Sequence, residues 1–304
     1  MDSVFASRLW GAMSLVLSLL VDPAQGGLEQ RLVDLARRAA GAEAATDWLD
    51  PGIACDLAVP DGVDLAAVRK ALGHVPVDAN LIPTESRRKR LLIADMDSTI
   101  VTTETLDEMA AYAGLQDVIA AITRRSMNGE IDFPTALRER VAMLKGLEVD
   151  ALRKTLAATE LTPGAVTLVQ TMRKNGAHTA LVSGGLTFFT ETIGARCGFD
   201  IHRSNVLGIV DDRLTGELIG PILDKDAKLA SLKELAAANG IGIADALTVG
   251  DGANDMAMLG AAGLGVAFRA KPVVNAEIRA QVRHGDLTAL LYLQGYRRDE
   301  FAGA

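Results

Sequence analysis

The chain has 304 residues, 49% hydrophobic and 23% charged, enough for one large domain or two modest ones around real cores. Its formal net charge of -8 argues against a nucleic-acid surface. Two cysteines, Cys55 and Cys197, supply neither a disulfide framework nor metal-ligand spacing, which suits a reducing cytoplasm. Apolar residues 9–21 follow Arg8, but they are too few to span a membrane and lack a small-residue exit before Asp22-Pro23. A strand starting near Ser14 is expected there, with Met13 an equally good start and no membrane partner.

The pattern then reads helix (28–40), strand (53–59), helix (65–72) and strand (75–82), with Pro and Gly at the joints. Residues 1–85 thus form a small α/β domain with its own core and no catalytic cluster; His74 reads as a surface or capping residue. The basic run Arg87-Arg88-Lys89-Arg90 reads as a solvated linker into a second domain, residues 86–304. That domain opens with a buried strand, Leu91-Leu92-Ile93-Ala94, followed by an insert at 105–159 whose apolar residues recur at helical spacing, a small helical cap. After Pro163-Gly164 come helix (165–175), strand (179–182), helix (186–197), hairpin (206–219), helix (227–239), strand (247–249), helix (254–262) and strand (264–267). Alternating strands and helices imply an α/β fold with a doubly wound parallel sheet.

Chemistry gathers at the strand ends. Asp95-Met96-Asp97-Ser98-Thr99 closes the first strand of the second domain, where two carboxylates can hold a cation, attack an electrophile or pass a proton. Ser183-Gly184-Gly185 follows another apolar strand and precedes a helix, where backbone amides suit an anion. Lys228 stands near a helix start, and Gly250-Asp251-Gly252-Ala253-Asn254-Asp255 follows a third strand. Each alone has an ordinary reading: a solvated turn, a Gly turn, a surface lysine, or, for Asp255, an acid in a helix's first turn. Four in fixed order are far harder to dismiss.

These motifs resemble the haloacid dehalogenase superfamily of phosphotransferases, and more closely the phosphoserine phosphatases, from residue 91 to about 296. The resemblance implies a Rossmann-like core and Mg²⁺-dependent hydrolysis of O-phospho-L-serine through an aspartyl phosphate, the last step of serine biosynthesis. Asp95 would be the nucleophile and Asp97 the general acid, while Asp95, the Asp97 carbonyl, Asp251 and Asp255 would hold Mg²⁺. Ser183, Gly184, Asn254 and Lys228 would meet the phosphate, with Lys225 a rival that the family spacing disfavours. In the cap, Glu104 would pair with the substrate ammonium and Arg140 with its carboxylate, beside Met127 and Phe133 as apolar lining. The first domain resembles, in pattern, the ferredoxin-like regulatory modules that include ACT domains, which makes an amino-acid ligand there and a homodimer candidate partners.

Three rival readings stand beside this one. Cys197 and Arg203 satisfy the C-x5-R spacing of cysteine phosphatases, yet Phe199 and Ile201 are too bulky for a loop that wraps an anion. A phosphotransferase could pass the phosphoryl group to another small hydroxyl compound such as homoserine. A catalytically dead sensor is disfavoured because Asp95, Asp97, Lys228 and Asp251 are all present.

Overall fold

In the computed structural model, residues 14–127 and 130–303 are described; Met13 and the question of the start lie outside them. The amino-terminal part runs β1 (Leu15–Leu20), α1 (Gln30–Ala40), β2 (Asp47–Asp50), β3 (Ala54–Val59), α2 (Leu65–Leu72) and β4 (Asp78–Pro83). This βαββαβ order, with an antiparallel sheet β2-β3-β1-β4, is ferredoxin-like. Strand alternation divides β1 between two cores: Leu17 and Leu19 pack with Leu32, Val33 and Val68 under the helices, while Val16 and Leu20 face the core of the rest of the chain. The sequence pattern missed β2, a four-residue edge strand in which Trp48 and Leu49 are flanked by aspartates.

The larger part opens with β5 (Leu91–Ala94), all four residues buried, and then the cap: α3 (Thr105–Tyr112), α4 (Gln116–Met127), α5 (Phe133–Met143) and α6 (Val149–Ala158). A bridge between Val101 and Leu161 closes the neck where the cap leaves and rejoins. There follow α7 (Ala165–Lys174), β6 (His178–Leu186), α8 (Thr187–Cys197), β7 (Ile201–Val210), β8 (Arg213–Ile219), α9 (Lys225–Ala238), β9 (Ala246–Gly250), α10 (Met256–Ala261), β10 (Leu264–Phe268), α11 (Pro272–Glu277), β11 (Ala280–Val282) and α12 (Ala289–Leu293). Gly164 starts α7 at φ 82 with its Cα against Thr288, where a side chain has no room.

The second sheet has the order β11-β10-β9-β5-β6-β7-β8. It is parallel except for β8, which folds back on β7 as an antiparallel edge. The hairpin expected at 206–219 pairs over those residues, Val206 opposite Ile219 and Val210 opposite Arg213, while β7 itself begins earlier because its first residues pair with β6. From β5 the sheet grows first through β6 and later, on the other side, through β9, so the carboxyl ends of these three strands meet at the topological switch point. Among the described residues no helix is long and apolar enough to cross a membrane.

The basic run is solvated only in part: Arg88 and Arg90 are exposed, but Arg87 and Lys89 are not. Arg87 bonds both oxygens of Asp56 on β3 and donates to Leu293 O, and its side chain is only 12% exposed. Lys89 is buried and donates to Ser86 O and Ala244 O, and Arg88 pairs with Glu300. The acceptors Asp56, Leu293 and Ala244 are too distant in sequence for a local reading to reveal.

Candidate active site

Asp95 leaves β5 still in sheet register, its backbone N–H on Val249 O at 3.0 Å, and its Oδ1 accepts the Met96 N–H at 2.8 Å. The chain then makes one wide turn, closed by Val101 N–H on Met96 O, with Ser98 in the left-handed region at φ 54. That turn carries Asp97 back to the first residue of α3, where its Oδ1 accepts Thr105 N–H at 3.0 Å. Both carboxylates therefore come to the mouth between cap and sheet. Burial, then the charges of Glu104 and Asp95, push the Asp97 carboxyl up to about 7.

Lys228 lies one turn into α9 and is 1% exposed. Its Nζ is 2.7 Å from Asp95 Oδ1 and 2.6 Å from Asp255 Oδ1. Burial works against its charge, but the two carboxylates outweigh it and hold its pKa above the ordinary range. Lys225 is exposed on the first turn of the same helix and takes no part. The other oxygen of Asp255 accepts Gly252 N–H at 3.1 Å, so this acid fixes both the lysine and its own loop.

Asp251 follows β9, nearly buried, with Lys271 Nζ 3.5 Å away. Asp95, Asp251 and Asp255 offer carboxylate oxygens all within 4.8 Å of one another. Burial, opposed by Lys271 and reinforced by Asp95 and Glu104, raises the Asp251 pKa to about 6. Burial and Asp95 raise that of Asp255 to about 7 against the pull of Lys228. Buried hard oxygen donors crowded this closely fit a divalent cation.

Ser183-Gly184-Gly185 ends β6 opposite these acids. The Ser183 Oγ accepts Gly185 N–H at 2.9 Å, and a Cβ on Gly185 would stand 2.9 Å from Asp97 Oδ2. Asn254 is half-buried, and its Oδ1 lies where a Cβ on Gly252 would displace it. Sequence reasoning missed two residues here. Asn205 on β7, 2% exposed, donates to Gly184 O at 2.8 Å and accepts Leu223 N–H at 2.7 Å, tying the glycine loop to the segment leading into α9. Lys271 is the other, and only its position beside Asp251 distinguishes it.

The cap reaches the same cleft. Phe133 opens α5, and its Cζ would lie 3.0 Å from a Cβ on Gly184. Arg140, two turns along the same face, is partly buried and donates a long 3.4 Å bond to Ala136 O. No carboxylate lies within ion-pair distance of it among the described residues, although Asp107, Glu104 and Asp97 oppose the lowering of its pKa by burial. Glu104 is exposed at the start of α3 and accepts the Ser98 hydroxyl at 2.7 Å. Met127 ends α4, and its side chain lies outside the described residues.

Cys197 sits apart from all of these. It is fully buried at the end of α8, where burial pushes its thiol up to about 11, and Arg203 is held bidentately by Glu234. No anion-wrapping loop joins them.

A family model of haloacid dehalogenase-like hydrolases matches residues 92–260. The phosphoserine phosphatase of Streptomyces coelicolor is 41% identical over 243 residues, 80% of this chain and 56% of that protein, so the chain spans little more than half of this relative. The unliganded probable phosphoserine phosphatase of Vibrio cholerae superposes with a TM-score of 0.79 over 95% of this chain and 88% of its own, at 29% identity. A phosphoserine phosphatase solved as an analogue of its phospho-aspartyl intermediate aligns with a TM-score of 0.63 and 36% identity over 67% of this chain and 98% of its own. The chain belongs to the haloacid dehalogenase-like hydrolases, within their phosphoserine phosphatase branch.

Proposed function

We propose that the chain hydrolyses O-phospho-L-serine to L-serine and inorganic phosphate, with Mg²⁺, through a phosphoryl group held on Asp95. The observation that carries this reading is Asp95 itself, buried against Lys228 at the centre of an acid cluster and facing a cap that holds an arginine with no ion pair among the described residues. Asp95 and Asp251, with the Asp97 carbonyl, would hold the cation, and Asp255 would brace Lys228 and the loop. Bound Mg²⁺ would neutralise phosphate oxygens and ease the approach of an anionic nucleophile.

A carboxylate oxygen of Asp95 attacks phosphorus in line, and the bond from phosphorus to the serine oxygen breaks. Asp97 gives its proton to the departing oxygen, a role that suits a carboxyl whose pKa stands near neutrality. Asp97, now ionised, takes a proton from water as that water attacks phosphorus, releasing phosphate and restoring both aspartates. Lys228 fixes the orientation of Asp95 and offsets phosphate charge, while Ser183 and the Gly184–Gly185 backbone meet the phosphate oxygens with Asn254 at the rim. Arg140 takes the serine carboxylate and Glu104 its ammonium, with Phe133 and Met127 closing the apolar side.

The division of labour at residues 85 and 86, with the cap at 105–159, follows from the same reading: chemistry in the larger part and a regulatory role for the ferredoxin-like part. The test is an activity screen of the purified protein over small phosphate monoesters with Mg²⁺. Clear preference for phosphoserine over phosphothreonine and phosphoglycolate is expected. Equal turnover of all three would remove the substrate assignment.

A further inference from the structure

The seam between the two sheets holds a cluster of arginines that make no ion pair among the described residues. On β4, Asp78 and Asn80 reach across to the backbone of residues 281–285, so the strands of the two sheets are joined there by side chains. Beside that junction lies a cavity of about 100 Å³ whose wall includes Arg69 and Asp78 from the amino-terminal part and Gln281, Arg283 and His284 from the other. Arg283 also lines an open groove of about 690 Å³ that contains Arg269.

Neutral acceptors hold these guanidinium groups in place. Arg69 donates through Nε and Nη2 to Ala79 O at 3.2 and 2.9 Å, and Arg283 through the same two atoms to Gln281 Oε1 at 3.0 and 2.7 Å. Arg269 donates to Gly285 O at 3.1 Å. None of the three has a carboxylate within ion-pair distance among the described residues. Asp78, the acid in the cavity wall, has both oxygens engaged by the N–H groups of Arg283, His284 and Gly285. Burial and then the charge of Arg283 press the pKa of Arg69 down, with Asp78 opposing, so the repulsion between the two arginines is felt. In a chain of net charge -8, fixed and unneutralised arginines are a positive spot that an anion relieves.

We propose that this seam is a second anion site, in which Arg69 and Arg283 grip one small oxyanion, a phosphate or an amino-acid carboxylate, between the amino-terminal sheet and the catalytic sheet. A bound anion ties α2 to the strand end beyond β11, and so stabilises the docked arrangement. The inference stands apart from the phosphatase reading, because none of its residues belongs to the cleft around Asp95.

The test is calorimetric titration of the full chain with inorganic phosphate and, separately, with L-serine, comparing wild type, Arg283→Gln and Arg69→Gln/Arg283→Gln. Arg283 is exposed, so its single variant keeps the fold even where loss of the Arg69 bonds to Ala79 would disturb α2. For at least one of the two ligands, wild type should show a binding class that weakens at least tenfold in Arg283→Gln, falls steeply with added salt and disappears in the double variant. Phosphate as the ligand affected identifies an inorganic anion, and L-serine identifies a carboxylate. Identical isotherms in wild type and Arg283→Gln for both ligands would overturn the proposal.

Discussion

Lys228 Nζ lies 2.6 Å from Asp255 and 2.7 Å from Asp95, so one buried ammonium is shared by two buried carboxylates from different loops. Removing the charge leaves two buried acids facing each other without a counter-ion. Lys228→Met should therefore lower stability by about 3–5 kcal/mol and abolish turnover, whereas Asp255→Asn, which keeps one partner, should cost less of both. Chemical denaturation together with kcat measures the difference. A Lys228→Met protein as stable as wild type would mean the acids are already neutral in the fold.

Asp95→Asn replaces a nucleophilic oxygen by an amide and should abolish turnover, with phosphate or a beryllium fluoride adduct attaching to Asp95 only in wild type. Cys197 provides the control. Its thiol is fully buried and pushed up to about 11, so iodoacetamide at pH 8 should leave the native protein unmodified there and fully active. Trapped phosphate on Cys197 would reverse the assignment.

The acid cluster gives the metal-free protein a characteristic pH dependence. Asp97, Asp251 and Asp255 titrate near 7, 6 and 7 in the fold but near 4 in the unfolded chain, so between those values the folded state binds more protons. Their contribution is fully present below about pH 4 and is lost as pH rises towards 7. Asp97→Asn removes one of these groups, so in chelator its melting temperature should gain on wild type across that window, by an amount corresponding to roughly 1–4 kcal/mol. Added Mg²⁺ should restore wild-type stability above pH 7, as any ligand of the native state does. A pH-independent gap between the two proteins would show that Asp97 is not held protonated by its surroundings.

What the sequence disclosed and what it hid follow from the range of the interactions involved. Asp95, Ser183 and Asp251 are visible because each ends a short apolar strand, and parallel strands deliver their ends to one edge. Asn205 was invisible because its partners, Gly184 and Leu223, lie about 20 residues away on either side and nothing local marks a polar residue within a strand as buried. Arg87 and Lys89 were misread for the same reason, since their partners Asp56 and Ala244 belong to distant segments. The elements missed, β2, α11, β11 and α12, have six residues or fewer, and β2 and β11 lie at sheet edges without the continuous apolar run that marks β5.

Asn205 can be tested through the two bonds it makes. Asn205→Ala leaves Gly184 O and Leu223 N–H without a buried partner, about 1–3 kcal/mol for each, and should lower kcat as the glycine loop slackens. Asn205→Asp keeps the acceptor for Leu223 but sets an oxygen against the Gly184 carbonyl. It should impair phosphate affinity as severely as the alanine variant. If the aspartate variant instead retains full activity, the bond to Gly184 does not shape the site.

Arg140 offers the sharpest test of substrate identity, because it lies in the cap and, among the described residues, makes no ion pair that its removal would break. In the proposed complex it carries the serine carboxylate, so Arg140→Ala would leave that charge unpaired in a closing pocket. Losses of roughly 2–5 kcal/mol are usual for such a truncation, so kcat/KM for phosphoserine should fall tens- to thousands-fold. Para-nitrophenyl phosphate has no carboxylate, and its slower hydrolysis should change much less. Arg140→Lys keeps the charge but not the planar fork, so it should recover only part of the loss on phosphoserine. Equal losses on both substrates would mean that Arg140 supports the cap's fold or the phosphate subsite, and the assignment of phosphoserine would then rest on family membership alone.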